Sequence, residues 1–360
     1  MRVAVVNLTS GGLSGGYRKY LARLMPLIAA DQRITRLTVF VPRAAMVNLD
    51  PGVDVRPWSS TRLPGHSHGL APEVLASRPD VVFVPTARYV HVGATPAVVM
   101  VRNMEPLLRP FGGNPWSHSA RNVLRAREAR RACKRASRVI AVSEHVRDFV
   151  VTRWGLDPQR VGVVYHGVDR VPDEALERVA PADSLFTAGS IRPARGLEDV
   201  IGALSALDAR VRLVIAGRVD PGCDGYAARL QRLAVQRGVA DRIAWAGELR
   251  PTDMLRAFVS CAVFIMTSRA EACPNIALEA MSCGCASVSV DHAPMPEFFG
   301  GAARYYAAGQ PGGLADQLRA LLADAAERER LGTIARQRAA TFTWDRTRDR
   351  TIEELQRAIG

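Results

Sequence analysis

Lysine is almost missing from this chain. Only Lys19 and Lys134 are lysines, so 46 of the 48 basic residues are arginine. A skew of that size reflects the composition of the whole genome, and no arginine counts as functional by identity alone. Cysteine is scattered at Cys133, Cys223, Cys261, Cys273, Cys283 and Cys285, with no C-x-x-C pair and no Cys/His cluster. Neither a metal site nor a disulfide framework is expected, which suits a reducing compartment. No apolar run approaches the roughly 18 residues of a membrane span. The apolar start at residues 1–7 is too short for a signal peptide and reads as a first strand. A soluble, cytoplasmic protein is expected. No G-x-G-x-x-G is present, which disfavours a nicotinamide cofactor. Internal repeats and low-complexity tracts are also absent.

What is present is bulk and asymmetry. The chain has 360 residues, 48% of them hydrophobic, enough for two domains with full cores. Its net charge is +13, and residues 1–180 carry 26 basic against 14 acidic residues, nearly all of that excess. Both halves share one genome, so the asymmetry survives the arginine bias. It points to an anionic surface or a phosphate-bearing partner for the first half. No recognition motif or aromatic interleaving supports nucleic acid.

Short β-branched runs alternate with helical patterns. Strands read at residues 2–7, 38–41, 81–84, 97–101, 139–142 and 161–164, with helices at 16–29, 119–136 and 144–154. The pattern restarts with strands at 184–188, 211–216, 243–246, 263–266 and 286–290. Near-continuous apolar strands imply parallel sheets covered on both faces. The expectation is α/β: two Rossmann-like, doubly wound domains facing a cleft, residues 1–170 and 184–343. A linker at 171–183 joins them, and a final helix over 344–360 follows the second unit.

Four stretches carry chemistry. Glu271 and Glu279 flank Pro274-Asn275, where a loop ends and a helix begins at Asn275 or Ile276. Glu271 then sits above the helix mouth and Glu279 about one turn inside, with backbone N–H groups between them suited to a phosphate. The run Gly189-Ser190-Ile191-Arg192-Pro193-Ala194-Arg195-Gly196 puts two guanidiniums beside a second helix start. A glycine-rich loop ending in Gly15-Gly16 follows the first strand and allows close backbone approach to a ligand. Residues 117–138 hold eight basic side chains and one acid, next to a loop at 107–116 with apolar tips. That pairing fits an anionic bilayer, although a solvated arginine-rich helix face explains it equally.

The paired glutamates, extended by Ala280-Met281-Ser282-Cys283-Gly284 and by Pro296-Glu297, resemble the retaining glycosyltransferases of family 4, which have the GT-B fold. Val163-Val164-Tyr165-His166-Gly167-Val168-Asp169, Ala141-Val142-Ser143-Glu144 and Phe342-Thr343-Trp344 support the resemblance, which implies that the helix over 344–360 crosses back to the N-terminal domain. It implies that Glu271 holds hydroxyls of the donor sugar and Glu279 the ribose. Backbone around Asn275 and Ile276 would contact sugar or phosphate. Arg195 would stand where the family has a diphosphate-binding lysine, stabilising the leaving nucleoside diphosphate. Gly217, Gly247 and Glu248 would border the base, and Gly16 would approach phosphate or acceptor. Ser190 replaces a usual arginine, leaving Arg192 to supply the second charge. Arg102-Asn103 occupies the place of a usual sugar-contacting histidine. No Asp-x-Asp is present, in keeping with a metal-independent reaction in which cations and helix dipoles replace a divalent ion.

The resemblance therefore implies hexose transfer from a UDP- or GDP-sugar, with retention, to a saccharide or lipid-linked acceptor in cell-surface polysaccharide, lipopolysaccharide or glycolipid synthesis. The protein would work peripherally on the inner face of the cytoplasmic membrane. Three alternatives stay open: a soluble small-molecule acceptor, a nucleotide-sugar epimerase of the same fold, and a catalytically silent sugar-binding subunit.

Overall fold

The computed structural model describes residues 1–8, 15–42, 52–58, 68–70, 72–108, 116–176 and 183–360. It contains two compact units. Unit 1 is Met1–Leu107, Arg121–Gly167 and Thr343–Gly360; unit 2 is Leu108–Ala120 and Val168–Phe342. Residues 9–14 of the glycine-rich loop, 109–115 of the apolar loop and 177–182 of the linker lie outside the described residues.

Unit 1 begins with β1 (Arg2–Val6), α1 (Gly15–Ala29), β2 (Arg36–Pro42) and β3 (Asp54–Trp58). After β4 (His68–Leu70) and α2 (Pro72–Ala76) come β5 (Val81–Val84), β6 (Val90–His91), β7 (Ala97–Val101) and α3 (Glu105–Leu108). Helix α4 (Trp116–Arg135), which enters unit 1 at Arg121, leads to β8 (Arg138–Ala141), α5 (Glu144–Trp154) and β9 (Val161–Val163). Seven strands form one parallel sheet in the order β3-β2-β1-β5-β7-β8-β9. Every residue of β5 and β7 is buried, as a sheet covered on both faces requires. The pattern missed β3, whose Asp-Val-Arg-Pro-Trp sequence is only half apolar. Its place at the sheet edge explains how it tolerates Pro57.

Unit 2 runs β10 (Ser184–Ala188), α6 (Leu197–Leu204), β11 (Arg212–Ala216), α7 (Asp224–Gln236), β12 (Ile243–Gly247), α8 (Pro251–Ser260) and β13 (Val263–Met266). It continues with α9 (Asn275–Ser282), β14 (Ser287–Val290), α10 (Met295–Phe299), β15 (Ala303–Tyr306), α11 (Pro311–Ala323) and α12 (Ala325–Ala339). Its six strands are parallel in the order β12-β11-β10-β13-β14-β15. Phe186, Phe258 and Phe264 pack with ring centroids 5.3–6.2 Å apart where β10, α8 and β13 meet. The order reverses between β10 and β13, and ligands of such sheets bind in the crevice beyond the strand ends at that point.

The final helix, α13 (Trp344–Ile359), packs on α1, β5, β7 and β8 of unit 1. Thr343 caps it by accepting from Arg346 N. Its buried stripe is unusually polar. The Thr347 hydroxyl donates to the Tyr165 carbonyl, and Arg138 Nε donates to the buried Glu354 carboxylate at 2.6 Å. A buried carboxylate is tolerated there because the half-buried arginine pairs with it. Arg138 therefore belongs to β8 and to this pair, and leaves the basic face of α4 that the sequence pattern assigned it to.

Candidate functional site

Arg195 and Glu271 come together at the β10–β13 switch point of unit 2. The chain leaves β10 at Gly189, whose φ of +131° lies outside the range that side chains adopt easily. A Cβ there would stand 2.1 Å from Arg195 Nη2, so glycine opens the space the guanidinium fills. Gly217, at φ +142°, ends β11, and a Cβ on it would lie 2.0 Å from the Gly189 carbonyl oxygen. Its amide donates to the Gly247 carbonyl at 2.6 Å, which draws the ends of β10, β11 and β12 together.

Arg195 closes a single helical turn, Pro193–Arg195, that Gly196 terminates in the left-handed region. Its Nη1 donates to Ser268 Oγ at 2.8 Å and to Glu271 Oε1 at 3.0 Å. Both members of the ion pair are only about 15% exposed, so little water screens it. Arg192 opens the same turn and faces Asp220 at 3.6 Å. Ser190 is half-buried alongside.

Helix α9 starts because Pro274 has no N–H to lose and its carbonyl receives the amides of Ala277 and Leu278. No side chain caps the helix. Asn275, Ile276 and Glu279 are half-buried along its first two turns, and Glu279 comes about 6 Å after Asn275 along the axis. Gly247 and Glu248 are exposed at the end of β12.

A second layer holds the loops in register. The Thr267 hydroxyl donates to the Arg195 carbonyl at 2.6 Å, and the Arg269 amide to the Ala194 carbonyl at 2.8 Å. The Arg269 guanidinium in turn reaches the buried Asp199 at 2.9 Å. The other oxygen of Asp199 accepts from Tyr306 Oη at 3.1 Å and from Gly309 N at 3.0 Å. Burial, reinforced by the Asp199 charge, pushes the Tyr306 phenol far above its usual range. Sequence reasoning missed Asp199, Asp220 and Tyr306. Asp199 did leave a trace: it is an acid inside the apolar run of α6, flanked by Leu197, Val200 and Ile201.

Four expected residues lie in unit 1. Arg102 stacks its guanidinium 4.0 Å from the Tyr17 ring centroid. Asn103 Oδ1 accepts from Glu105 N at 3.1 Å, at the start of α3. Gly15 and Gly16 open α1.

Among the described residues, no group of three or more His, Cys, Asp or Glu side chains could hold a metal. No helix among them is long and apolar enough to cross a membrane.

Comparison with known proteins assigns both doubly wound units to a family. The model for glycosyltransferase family 4 matches residues 15–171, and that for glycosyl transferases group 1 matches residues 176–338. The chain belongs to this glycosyltransferase family. It is 30% identical over 241 residues to D-inositol 3-phosphate glycosyltransferases of Mycobacterium tuberculosis and Mycobacterium bovis, a match covering 62% of the chain. The chain spans about half the length of these curated relatives, 49%. Among solved structures it resembles the Anabaena protein Alr3699/HepE in complex with UDP, with a TM-score of 0.74 and 18% identity over 99% of this chain and all of that one. Sucrose-phosphate synthase from Thermosynechococcus elongatus gives 0.75 and 14% over 98% of each chain. These likenesses establish the GT-B fold.

Proposed function

We propose that the protein transfers a hexose from a UDP- or GDP-sugar to a hydroxyl of a saccharide or lipid-linked acceptor, with retention of configuration and without a metal. The observation that carries this reading is the Arg195–Glu271–Ser268 cluster beside the start of α9. A permanent guanidinium there can neutralise the diphosphate as the glycosidic bond breaks. Glu271 accepts from sugar hydroxyls, and Glu279, about a turn deeper, from ribose. Amides at Asn275 and Ile276 meet phosphate, Arg192 adds charge, and Gly217, Gly247 and Glu248 border the base. HepE has been solved with UDP and with UDP-glucose, which favours UDP among the donors.

Peripheral contact with an anionic membrane is part of the proposal, and α4 is the surface that supports it. Trp116 is 85% exposed and Leu124 58%. At about 100° per residue, Arg127, Arg131 and Lys134 fall with them inside roughly 80° of arc. That face pairs apolar tips with cations, as an interfacial helix does. A soluble phosphorylated acceptor is the second reading, favoured by the name of the mycobacterial relatives.

The test is a thermal-shift panel of UDP-, GDP-, dTDP- and ADP-sugars and bare nucleotides without added metal. A ligand at 100 times its dissociation constant adds about 2.7 kcal/mol. One nucleotide class should shift the transition, and Glu279→Ala should abolish the shift. No shift with any nucleotide would favour the silent-subunit alternative.

A further inference from the structure

Unit 1 has its own switch point, between β1 and β5. Asn7 and Leu8 follow β1 there, Thr86 and Arg88 follow β5, Arg102 follows β7, and Tyr17 comes from the first turn of α1. None of these belongs to the cluster around Arg195.

Three observations make this more than a packed strand end. First, the Arg102 guanidinium lies 4.0 Å from the Tyr17 ring centroid and 5.7 Å from that of Tyr20. A cation held this close to an aromatic ring is positioned by it. Second, Arg88 is anchored by a hydrogen bond from Nη1 to the Leu8 carbonyl. Its charge and that of Arg102 both act on the Tyr17 phenol, opposing the larger effect of burial. Third, Tyr17 is 2% exposed, and neither its hydroxyl nor the buried Thr86 hydroxyl makes a hydrogen bond among the described residues. Buried hydroxyls are nearly always satisfied, and two of them at a sheet's ligand-binding edge mark a place for a ligand's polar atoms.

We propose that the β1–β5 switch point is an anion subsite in which Arg102 and Arg88, with the Tyr17 hydroxyl as a further donor, bind a phosphate or carboxylate carried by a substrate. Two cations that cannot deprotonate, one of them oriented by an aromatic ring, favour a planar or tetrahedral oxyanion over a neutral sugar. Arg102 is then a specificity residue selecting charged substrates. The proposal rests on the glycosyl-transfer reading only for the identity of the carrier: the anion is either on the acceptor or on the donor's sugar ring, as in a uronate.

The test uses the full chain and inorganic phosphate, titrated calorimetrically at constant ionic strength. Saturating UDP is present to occupy the anion site of unit 2, and UDP binding is measured separately beforehand. If UDP fails to bind, the donor reading fails by itself, and phosphate is titrated in an Arg195→Ala background instead. The expected result is one phosphate site, weakened at least tenfold in Arg102→Ala and about threefold in Tyr17→Phe. Arg102→Lys, which keeps the charge and loses the planar stack, falls between wild type and Arg102→Ala. Tyr17→Phe removes one oxygen from a buried ring, so it tests the subsite even if Arg102→Ala misfolds. Absence of phosphate binding in the wild type would overturn the proposal, as would unchanged affinity in both Arg102→Ala and Tyr17→Phe. Two further pairs of probes identify the carrier. A preference for glucose 6-phosphate over glucose that disappears in Arg102→Ala puts the anion on the acceptor. A preference for UDP-glucuronate over UDP-glucose that disappears puts it on the donor. No charged preference in either pair counts against the subsite.

Discussion

Replacing Asp199 should unlock the loop that carries Arg195 and Glu271. Asp199 accepts from Arg269, Tyr306 and Gly309, and its side chain is only 4% exposed. In Asp199→Ala the Arg269 charge loses its partner and two further donors lose their acceptor. Breaking a buried pair on one side costs about 3–5 kcal/mol. At about 2–4 °C per kcal/mol for a unit of this size, the melting temperature should fall by roughly 6–20 °C. Tyr306→Phe removes a single hydrogen bond to a charged group and should cost about 1.5–3 kcal/mol. The two changes share one contact, so they should not add: Tyr306→Phe should cost at least about 0.5 kcal/mol less in the Asp199→Ala background. The assay is calorimetric unfolding of wild type, both single variants and the double variant. Below the melting temperature of Asp199→Ala, donor affinity should also fall, because Arg269 holds Ala194 through its amide and Asp199 through its side chain. A shift below about 2 °C for Asp199→Ala, or strict additivity in the cycle, would refute the role assigned to this network.

Gly217→Ala should destabilise unit 2 and weaken donor binding, because the new methyl would meet the Gly189 carbonyl at 2.0 Å; urea unfolding and nucleotide titration check both effects. Acid should loosen α13 from the rest of unit 1. Hydrogen bonds from Arg33 lower the Asp31 pKa from 3.8 to about 2, and Arg348, with help from Arg33, lowers that of Asp349. A depressed carboxylate stabilises the fold above its unfolded pKa and loses that contribution as pH falls through the folded value. Stability should therefore decline between about pH 4 and pH 2, and Asp31→Asn should flatten that decline in a pH series of thermal melts. Burial pushes the Cys133 thiol up to about 12, so Cys133 should resist thiol-specific labelling of the native protein at pH 8 and react only on unfolding, as read by mass spectrometry.

Most of the frame was legible because local rules decide it. Strands such as β5, β7 and β13 are unbroken apolar runs, and α5 carries its own Ser143 cap and left-handed Gly155 stop. Helix α9 announced its start through Pro274. The strands that escaped have weak local signals: β3 is half polar, and β15 reads Ala-Arg-Tyr-Tyr and, among the described residues, pairs only with β14. Arg138 lies three residues beyond the end of α4 and reads as a continuation of its basic face. Its partners, Glu354 216 residues away and the Gln159 carbonyl, show it to be structural.

By itself the sequence determined the elements, their alternation and the residue types at the strand ends, because periodicity, turn chemistry and capping act over a few neighbours. Tertiary structure alone decided partnership. Glu271 is 76 residues from Arg195, and Asp199 is 107 from Tyr306. Whether Arg102 touches a sugar or stacks on Tyr17 depends on how β7 and α1 converge. Local composition has no access to such distances. Desolvation does, because once a charge is buried it must meet its partner wherever the sheet order has placed it.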